Sequence, residues 1–483
     1  MIAALSGVLA YLILGVLGLL TGRARLLGAL AFLTGTISLA LWAPGFPPTR
    51  LGLGGWAIPW RGDALAAAFW GLALVLHLVL LGETERPRHF HALVALLVGT
   101  VLSLVLSLDL FNLYVSLELT SLIAFLLVGI EGRPAQAWAS LKYLILTSCG
   151  MIFYLLGVGL VYAETGTLSL LELPAAMPAA GIGLTLGLGL LVAGAAAKGG
   201  VFLYALWLPT AHGYAPSSVS AILSGLVVKM GIVVLARLSA VLPVGDALVA
   251  LGLATGFLGI LHLFWEEDLK VFLAYSTMSQ LGYMLLGFGW GAWAGGIAYG
   301  IAHGLFKALL FLAAGRAEAE GRGRRIPDLA GRLSRWTRLS LAVGVAAIAG
   351  LPPLAGYGAK GLVAAAAPPW GRWALALLSL GTAAAFARFL PLIVRGVPGG
   401  GGDRSLPLLG AVLLGGGLFL LIATPALRDY PTLLSAVGTV LLGGTMGWLS
   451  HRRAFRTPRW RLDEALLALL FSVAAVVLWF LVR

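Results

Sequence analysis

Residues 198–216 read KGGVFLYALWLPTAHGYAP, and this stretch is the most informative on the fold because it places a lysine, glycines and two prolines inside apolar sequence. Residues 350–360, GLPPLAGYGAK, repeat the combination with the order reversed. Proline lacks an amide proton and interrupts a helix, so both stretches predict a helix that breaks and resumes. The prolines assigned to these breaks are Pro209, Pro216, Pro352 and Pro353.

Long apolar runs surround both stretches and make up most of the chain. Of the 483 residues, 60% are hydrophobic and 11% are charged, whereas soluble domains carry roughly 25% charged residues. Apolar runs of about 20 residues are long enough to cross a bilayer as helices, so the sequence predicts an all-α polytopic membrane protein. The sixteen predicted helices lie near residues 2–20, 26–43, 63–82, 89–107, 109–130, 140–162, 180–206, 216–240, 244–265, 269–289, 291–314, 338–366, 369–396, 404–424, 433–449 and 462–482.

The connections between the runs alternate in arginine content, and this alternation predicts the topology. Arginine-rich connections follow helices 1, 3, 11, 13 and 15, whereas those after helices 4, 6 and 10 hold no lysine or arginine. The positive-inside rule then places both termini outside and the arginine-rich loops, chiefly 315–337 and 451–461, in the cytoplasm. The net charge of +13 is explained in this way without a nucleic-acid partner.

The sequence offers little room for catalysis. No loop is long enough for a soluble domain, and the single cysteine, Cys149, excludes a disulfide, zinc or iron–sulfur site held by this chain alone. An enzyme would show a catalytic cluster at the membrane surface, and the one candidate, residues 266–268 beside Lys270, is better explained as a solvated helix start. We therefore expect no catalytic chemistry, metal or cofactor in this chain, and any redox chemistry on partner chains.

The lysines are placed differently from the arginines. The chain has 26 arginines and six lysines, and five of the lysines fall inside apolar runs, where each costs about 3 kcal/mol on insertion scales. Arginine stays protonated, whereas a lysine held out of water can release and rebind a proton. The pattern predicts a proton path; the alternatives are contacts between helices and, above all for Lys142, snorkelling to the interface. The five lysines are Lys142, Lys198, Lys229, Lys307 and Lys360.

Two further side chains fit a path of this kind. Glu118 is the one acidic residue well inside an apolar run, and a lysine on another helix is its natural partner. His303 and Lys307 are four residues apart and therefore share one face of a helix. A histidine one turn from a buried lysine is best interpreted as a relay.

Each broken helix falls at a corresponding position of a five-helix group, which is typical of a transport site built on inverted repeats. The predicted divisions are N-terminal helices 1–3 (1–88), a first repeat of helices 4–8 (89–240), a second repeat of helices 9–13 (244–396) and C-terminal helices 14–16 (397–483). Helices 15 and 16 could alternatively form one re-entrant pair.

These motifs resemble those of the antiporter-like membrane subunits found in respiratory complex I, membrane-bound hydrogenases and Mrp-type cation/proton antiporters. The resemblance covers about residues 105–395 and rests on residues 197–229, 268–283, 303–307 and 350–356. Among these families, residues 224–229 are most similar to the D-type subunit of Mrp antiporters. Where the family often has proline, histidine and an acidic residue, this chain has Leu203, Ala205 and Thr210.

The resemblance implies a core of about 14 helices, with two inverted five-helix repeats and broken helices 7 and 12, plus about two extra C-terminal helices. It assigns Glu118 and Lys198 as a pair, Lys229 to a central axis, and Lys360 to the outer face. The proton path then comprises Glu118, Lys198, Lys229, His303, Lys307 and Lys360. Accessory candidates are Lys142, His212 and Tyr275.

The function expected from these features is proton translocation as one subunit of a multi-subunit membrane complex. A Mrp-type sodium/proton antiporter is the leading expectation, with sodium as a second coupling ion. The alternative is a proton-pumping subunit of a complex I-type NADH:quinone oxidoreductase or a membrane-bound hydrogenase, in which case the chain would count as part of a translocase. Expected partners are other membrane subunits and the lipid of a prokaryotic inner (plasma) membrane, and no nucleic acid.

Overall fold

The structure is a computed structural model, and it describes residues 1–52, 57–177, 181–202, 204–397, 405–424, 427, 430–450 and 461–482. Leu203 and nearly all of the predicted 451–461 loop lie outside the described residues. Helices dominate the described part of the chain, as the apolar runs predict. The prediction of an all-α polytopic membrane fold is confirmed.

Twenty-two α-helices and one β-hairpin form the described chain, and every predicted run coincides with a helix or with consecutive helical pieces. The elements are α1 (Ile2–Thr21), α2 (Ala24–Trp42), β1 (Phe46–Leu51), β2 (Ile58–Gly62), α3 (Ala64–Leu81), α4 (Phe90–Leu106), α5 (Leu110–Val128), α6 (Pro134–Thr165), α7 (Leu173–Ala176), α8 (Ile182–Lys198), α9 (Leu208–Tyr214), α10 (Ser217–Ile222), α11 (Val228–Ser239), α12 (Gly245–Leu263), α13 (Leu269–Gly289), α14 (Trp293–Gly321), α15 (Ile326–Leu329), α16 (Arg335–Ala349), α17 (Ala355–Ala366), α18 (Pro369–Phe386), α19 (Leu390–Val394), α20 (Ser405–Ala423), α21 (Tyr430–Ser450) and α22 (Leu462–Val482).

The chain packs as two compact units. The first comprises Met1–Trp207, Leu226–Ala247 and Arg461–Arg483, and the second comprises Leu208–Gly225 and Leu248–Trp460. These units are defined by packing, whereas the predicted repeats are defined by helix order, so the repeat boundaries stay a prediction.

Ten helices in the described residues are long and apolar enough to cross a membrane, by length and composition. Four shorter apolar helices of 10–17 residues join them: Phe90–Leu106, Ile182–Lys198, Leu409–Ala423 and Leu433–Gly447. The number of membrane crossings therefore stays a prediction, whereas the polytopic character does not depend on it.

Aspartates start three of the helices by capping. Asp63, Asp109 and Asp268 each accept a hydrogen bond from a backbone amide in the first turn that follows, at 3.0, 2.7 and 3.0 Å. A carboxylate in this place satisfies an otherwise unpaired amide and complements the positive end of the helix dipole. These acidic residues are thus explained by local structure.

The first broken helix differs in detail from the prediction. Its first half, α8, ends at Lys198, and the chain resumes as a 3₁₀ turn at Tyr204–Trp207 and then as α9. Pro209 is the second residue of α9, where proline is tolerated because its missing amide proton needs no partner. The break therefore lies ahead of Pro209, whereas Pro216 caps the start of α10.

The second broken helix separates α16 from α17. Gly350 ends α16 with φ of 88°, a left-handed conformation that glycine adopts without strain, and α17 begins at Ala355 after Pro352 and Pro353. A π-helical turn at Leu223–Val227, which the sequence did not predict, lies between α10 and α11. Such turns occur frequently at functional sites.

Two local features correct the sequence analysis. Strands β1 and β2 pair antiparallel, with Thr49 opposite Trp60 and Leu51 opposite Ile58, in a connection where no strand was expected. Helix α14 continues to Gly321, so the expected loop 315–337 begins as helix. Alanine and glutamate at residues 317–320 favour helix and explain the extension.

One backbone arrangement occurs twice. In the first unit the amide of Leu110 donates to the carbonyl of Leu168 at 2.9 Å, and Leu170 donates to Leu108 at 2.9 Å. In the second unit the same crossed pair joins Leu269 to Arg324 and Ile326 to Glu267, both at 2.9 Å. In each case the capping aspartate of a helix, Asp109 or Asp268, lies at the centre of the pair, opposite the segment that follows the next helix.

Candidate functional site

Lys198 and Glu118 form an ion pair inside the first unit. The Lys198 Nζ lies 2.9 Å from Glu118 Oε1, and the side chains are 4% and 20% exposed. Lys198 is the last residue of α8, and the negative end of that helix dipole also favours its positive charge. The pairing expected from the sequence is therefore present.

Hydroxyl groups surround this pair. Lys198 also donates to Ser121 Oγ, one turn from Glu118 on α5, and the Tyr143 hydroxyl donates to the same oxygen at 3.0 Å. The Tyr143 ring packs edge-on against Trp207, with 4.7 Å between centroids, and Trp207 donates to the carbonyl of Ala197. The turn beyond the break is thus held against the end of α8 that carries the lysine.

Lys142 lies in the interior of α6. The helix begins at Pro134, so Lys142 is two turns from its start, and its side chain is buried. Glu464, in the first turn of α22, interacts electrostatically with Lys142. Helix α22 packs against α8 and α6, where Val477 lies close to Gly189. Helix α22 thus covers α8, the helix that bears Lys198.

Lys229 is in the first turn of α11, directly after the π-helical turn, and its side chain is 0% exposed. Its helix approaches the end of α8 so closely that a Cβ atom at Gly231 would collide with the backbone of Gly199. Lys229 and Lys198 are therefore carried by helices in direct contact within the first unit.

In the second unit, His303 and Lys307 lie on one face of α14 and are both fully buried. The Lys307 ammonium donates to the carbonyl of Leu273 at 2.9 Å and to the hydroxyl of Ser276, both on α13. A buried ammonium is thus satisfied by a carbonyl and a hydroxyl oxygen, which are neutral acceptors.

Lys360 is held by the end of the broken helix. Its Nζ donates to the carbonyls of Ile348 and Ala349 at 3.0 and 3.2 Å, which are the last two of α16. It also lies 5.1 Å from the centroid of the Tyr283 ring. A cavity of about 190 Å³ adjoins this lysine and is lined in part by Arg372.

The accessory candidates have different surroundings. His212 is buried on α9 and stacks on Phe311 with 4.7 Å between centroids. Tyr275 stacks on His262 with centroids 4.8 Å apart. Lys270, which follows the acidic residues 266–268, is buried in the first turn of α13 and donates to the carbonyl of Ala215 ahead of α10.

The acidic residues 266–268 form caps and surface ion pairs. Arg325 lies 2.6 Å from Glu267, and Arg324 lies 3.1 Å from Asp268. The hydrogen bond and charge of Glu267 raise the pKa of Arg325. These pairings support the interpretation of the cluster as a helix start, as expected from the sequence.

Several residues that complete the site were not predicted. Ser121 and Ser276 accept from Lys198 and Lys307, and Ser224 and Thr277 share a hydrogen bond of 2.8 Å within the second unit. Serine and threonine are common in membrane helices for many reasons, so their type alone gives no signal. Their role depends on the distance to a buried lysine on a different helix, and this distance is known only from the folded structure.

Comparison with known proteins identifies the family. The family described as NADH:quinone oxidoreductase/Mrp antiporter, TM, matches residues 107–385, which is more than half of the chain. The chain belongs to this antiporter-like family. The resemblance found in the sequence is thereby confirmed, and the matched range includes both broken helices and all six residues of the expected path.

Relatives from two kinds of complex resemble this member of the antiporter-like family. The N-type subunit of NADH-quinone oxidoreductase from Desulforudis audaxviator is 33% identical over 455 residues, which is 86% of this chain and 89% of the relative. The D-type subunit of the Na⁺/H⁺ antiporter from Alkalihalophilus pseudofirmus is 30% identical over 339 residues, which is 65% of this chain and 68% of the relative.

Solved structures agree with this assignment. A chain of the archaeal membrane-bound sulfane sulfur reductase superposes with a TM-score of 0.78 at 23% identity, over 92% of this chain and 99% of that one, which shows the fold alone. A chain of the Mrp complex from Dietzia sp. gives a TM-score of 0.72 at 25% identity, over 99% of this chain and 56% of that one. The protein is thus a multi-pass membrane member of a family whose similar proteins are subunits of multi-subunit membrane complexes.

Proposed function

We propose that this protein translocates protons through three buried lysines and the half-buried Lys360, and that one of the buried lysines, Lys198, is paired with a glutamate. The observation that carries this proposal is the Lys198–Glu118 pair, with its atoms 2.9 Å apart next to a break in a helix. Taking both charges out of water is unfavourable unless they stay together, so a change at either residue alters the protonation of the other. A pair of this kind can couple proton movement to events nearby.

The proposed path uses Glu118, Lys198 and Lys229 in the first unit and His303, Lys307 and Lys360 in the second. Three of the lysines have acceptors that suit an ammonium: a carboxylate for Lys198, a carbonyl and a hydroxyl for Lys307, and a helix end for Lys360. Lys142, His212 and Tyr275 remain accessory candidates. Pro352 and Pro353 are proposed to keep the second helix broken beside Lys360, whereas Pro209 and Pro216 lie at the starts of the two helices that follow the first break.

Two observations support the proposed repeats at 89–240 and 244–396. The first is the crossed backbone pair that occurs around Asp109 and again around Asp268. The second is an arginine near the end of each five-helix group: Arg237 donates to the carbonyl of Val105 at the end of α4, and Arg388 donates to that of Leu263 at the end of α12. An odd number of helices per repeat gives the second repeat the opposite topology.

The assembly is proposed to be a Mrp-type sodium/proton antiporter in the inner membrane of a prokaryote, in which sodium exchanges for protons. A complex I-type NADH:quinone oxidoreductase is the second candidate, and it is favoured by the longer match to an N-type subunit, over 86% of this chain. A membrane-bound hydrogenase remains within the same alternative. In every case the neighbours are other membrane subunits and lipid.

Transport in everted membrane vesicles that carry the whole operon tests the proposal. The pH of the vesicle interior is followed with a fluorescent indicator. NADH-driven pumping acidifies the interior, whereas sodium added outside an already acidified vesicle raises the interior pH, because sodium enters as protons leave. The proposal expects proton movement that Lys198→Ala abolishes, driven by sodium for the antiporter and by NADH for the alternative. Unchanged proton movement in assembled Lys198→Ala complex would contradict it.

A further inference from the structure

A tyrosine pair and a glutamine connect the His303–Lys307 face of α14 to Lys360, and the proposed path does not use them. Tyr299, His303 and Lys307 are spaced by four residues and share one face of α14. That face lies against α13, because Lys307 donates to Ser276 and Tyr299 donates to Gln280.

Gln280 ties three helices together. Its Oε1 accepts the Tyr299 hydroxyl of α14, and its Nε2 donates to Thr382 Oγ1 of α18 at 3.2 Å. The side chain is fully buried. Because both ends of the amide are engaged, Gln280 has one orientation, and it fixes Tyr299 in turn.

Tyr283 is fixed from two sides. Its ring stacks on Tyr299, with centroids 5.0 Å apart and planes 21° from parallel, and its hydroxyl lies 2.9 Å from Ser379 Oγ on α18. The ring presents a face to Lys360, whose Nζ is 5.1 Å from its centroid. An ammonium in this position is attracted to the aromatic face, and more strongly out of water than in it.

The other described surroundings of Lys360 are neutral acceptors, hydroxyl groups and one arginine. The last two carbonyls of α16 accept its protons, and the charged or titratable side chains that line the adjoining cavity are Tyr283 from α13, Tyr357 from its own helix and Arg372 from α18. Helix α21 adds the hydroxyls of Ser435 and Thr439. At the contacts of α17 with α14 and α20, Gly295 lies against Val363 and Leu420 against Gly358.

We propose that Tyr283 is a positioning residue for Lys360: its aromatic face holds the ammonium at the end of α16 beside the cavity, and the Gln280–Tyr299 pair holds the ring. The proposal rests on the proposed function, because it assigns a partner to one lysine of that path. The role belongs to the ring and not to the hydroxyl, which is engaged with Ser379.

Two substitutions of Tyr283 separate the ring from the hydroxyl. In everted vesicles carrying the whole complex, Tyr283→Phe is expected to transport protons within about twofold of the unchanged protein. Tyr283→Leu is expected to lower the rate about tenfold and to move the pH of half-maximal transport toward acid by up to about one unit, because the charged form of Lys360 loses its aromatic partner. Copurification of the partner subunits measures assembly.

Gln280→Met is a second variant that leaves the ring in place but releases Tyr299 from α18. It is expected to move the pH profile in the same direction by a smaller amount, and it decides the question if Tyr283→Leu does not assemble. Equal loss in Tyr283→Phe and Tyr283→Leu would overturn the proposal, as would an unshifted pH profile in Tyr283→Leu and Gln280→Met.

Lys360→Ala separates failure of this inference from failure of the proposed function. Abolished transport in Lys360→Ala together with unchanged transport in the Tyr283 and Gln280 variants would overturn the positioning role alone. Full transport in Lys360→Ala would show that this lysine carries no protons, and both proposals would then fail at this site.

Discussion

Glu118→Gln tests the ion pair with the smallest change in shape. The amide keeps the size and hydrogen-bonding capacity of the carboxylate but removes its charge from Lys198, 2.9 Å away. At an effective dielectric constant of about 20, two unit charges at this distance attract by about 6 kcal/mol. Removing one partner of a buried pair typically costs about 3–5 kcal/mol, and the lower end applies because the Glu118 side chain is 20% exposed.

A change of about 3 kcal/mol corresponds to more than a hundredfold change in the balance between charged and neutral Lys198. We therefore expect transport by Glu118→Gln to fall below about 1% of the unchanged protein. The assay is the change in interior pH that sodium or NADH produces in everted vesicles carrying the complete complex, with assembly measured by copurification of the partner subunits.

Glu131→Gln is the matched control. Glu131 follows the end of α5 and pairs with Arg86 and Arg133, both at 3.4 Å, away from the buried lysines. Transport in this variant should stay within about twofold, because partly exposed pairs contribute about 0–1 kcal/mol. If assembled Glu118→Gln complex transports at the unchanged rate, the coupling assigned to this pair is wrong.

Three further predictions concern other parts of the chain. Lys229→Arg should assemble but not transport, because arginine keeps the charge and does not release its proton; unchanged proton transport in everted vesicles would show that Lys229 acts as a fixed charge. Arg237→Leu should lower the midpoint of thermal unfolding in detergent, because it leaves the partly buried Asp63 without its partner at a cost of about 3 kcal/mol. An unchanged midpoint would show that the Arg237–Asp63 ion pair does not stabilise the fold. Burial acts to raise the pKa of Asp63, but the hydrogen bond and charge of Arg237 lower this pKa overall. The stabilisation by the ion pair is therefore fully present above the ordinary Asp pKa near 3.9, and it is lost as the pH falls through the lower pKa of the folded state. The unfolding midpoint of the unchanged protein should then fall more steeply in this acidic range than that of Arg237→Leu. The same pH dependence in both proteins would show that the ion pair does not cause the loss of stability.

The length of the apolar runs was sufficient to predict the helices, because each spanning segment must satisfy its own backbone hydrogen bonds. Helix α13 begins and ends where its run predicts, and the interruptions after Lys198 and Gly350 are present. The hairpin β1–β2 was missed because its strands are short and contain prolines. The end of α14 was missed because its last turns are polar and carry no membrane signal.

The site was predictable to the extent that it depends on charge. A lysine or glutamate stands out in apolar sequence because placing a charged side chain in the bilayer is energetically unfavourable, so Lys198 and Glu118 were recognised before their contact was known. The burial of Lys270 was not predicted, because a position at the start of a helix gives no information on burial. Ser121, Gln280 and Tyr283 were missed because their role depends on the helix that lies opposite, which sequence spacing does not specify.

Chemical rescue at Lys360, which is half-buried, tests most directly whether the lysines of the proposed path release and rebind protons. In a Cys149→Ala background, Lys360→Cys introduces a thiol beside the cavity of about 190 Å³. Both reagents are applied to whole cells before the membranes are everted, so that each reaches the outer face, and thiol titration confirms that the cysteine has reacted. Aminoethyl methanethiosulfonate restores an amine that can lose its proton, whereas trimethylammonioethyl methanethiosulfonate adds a permanent positive charge. We expect transport in everted vesicles to return with the first reagent and not with the second, while the Cys149→Ala background responds to neither. Equal recovery with both reagents would show that Lys360 supplies a fixed charge, and it would contradict the proposal that this lysine releases and rebinds protons during transport.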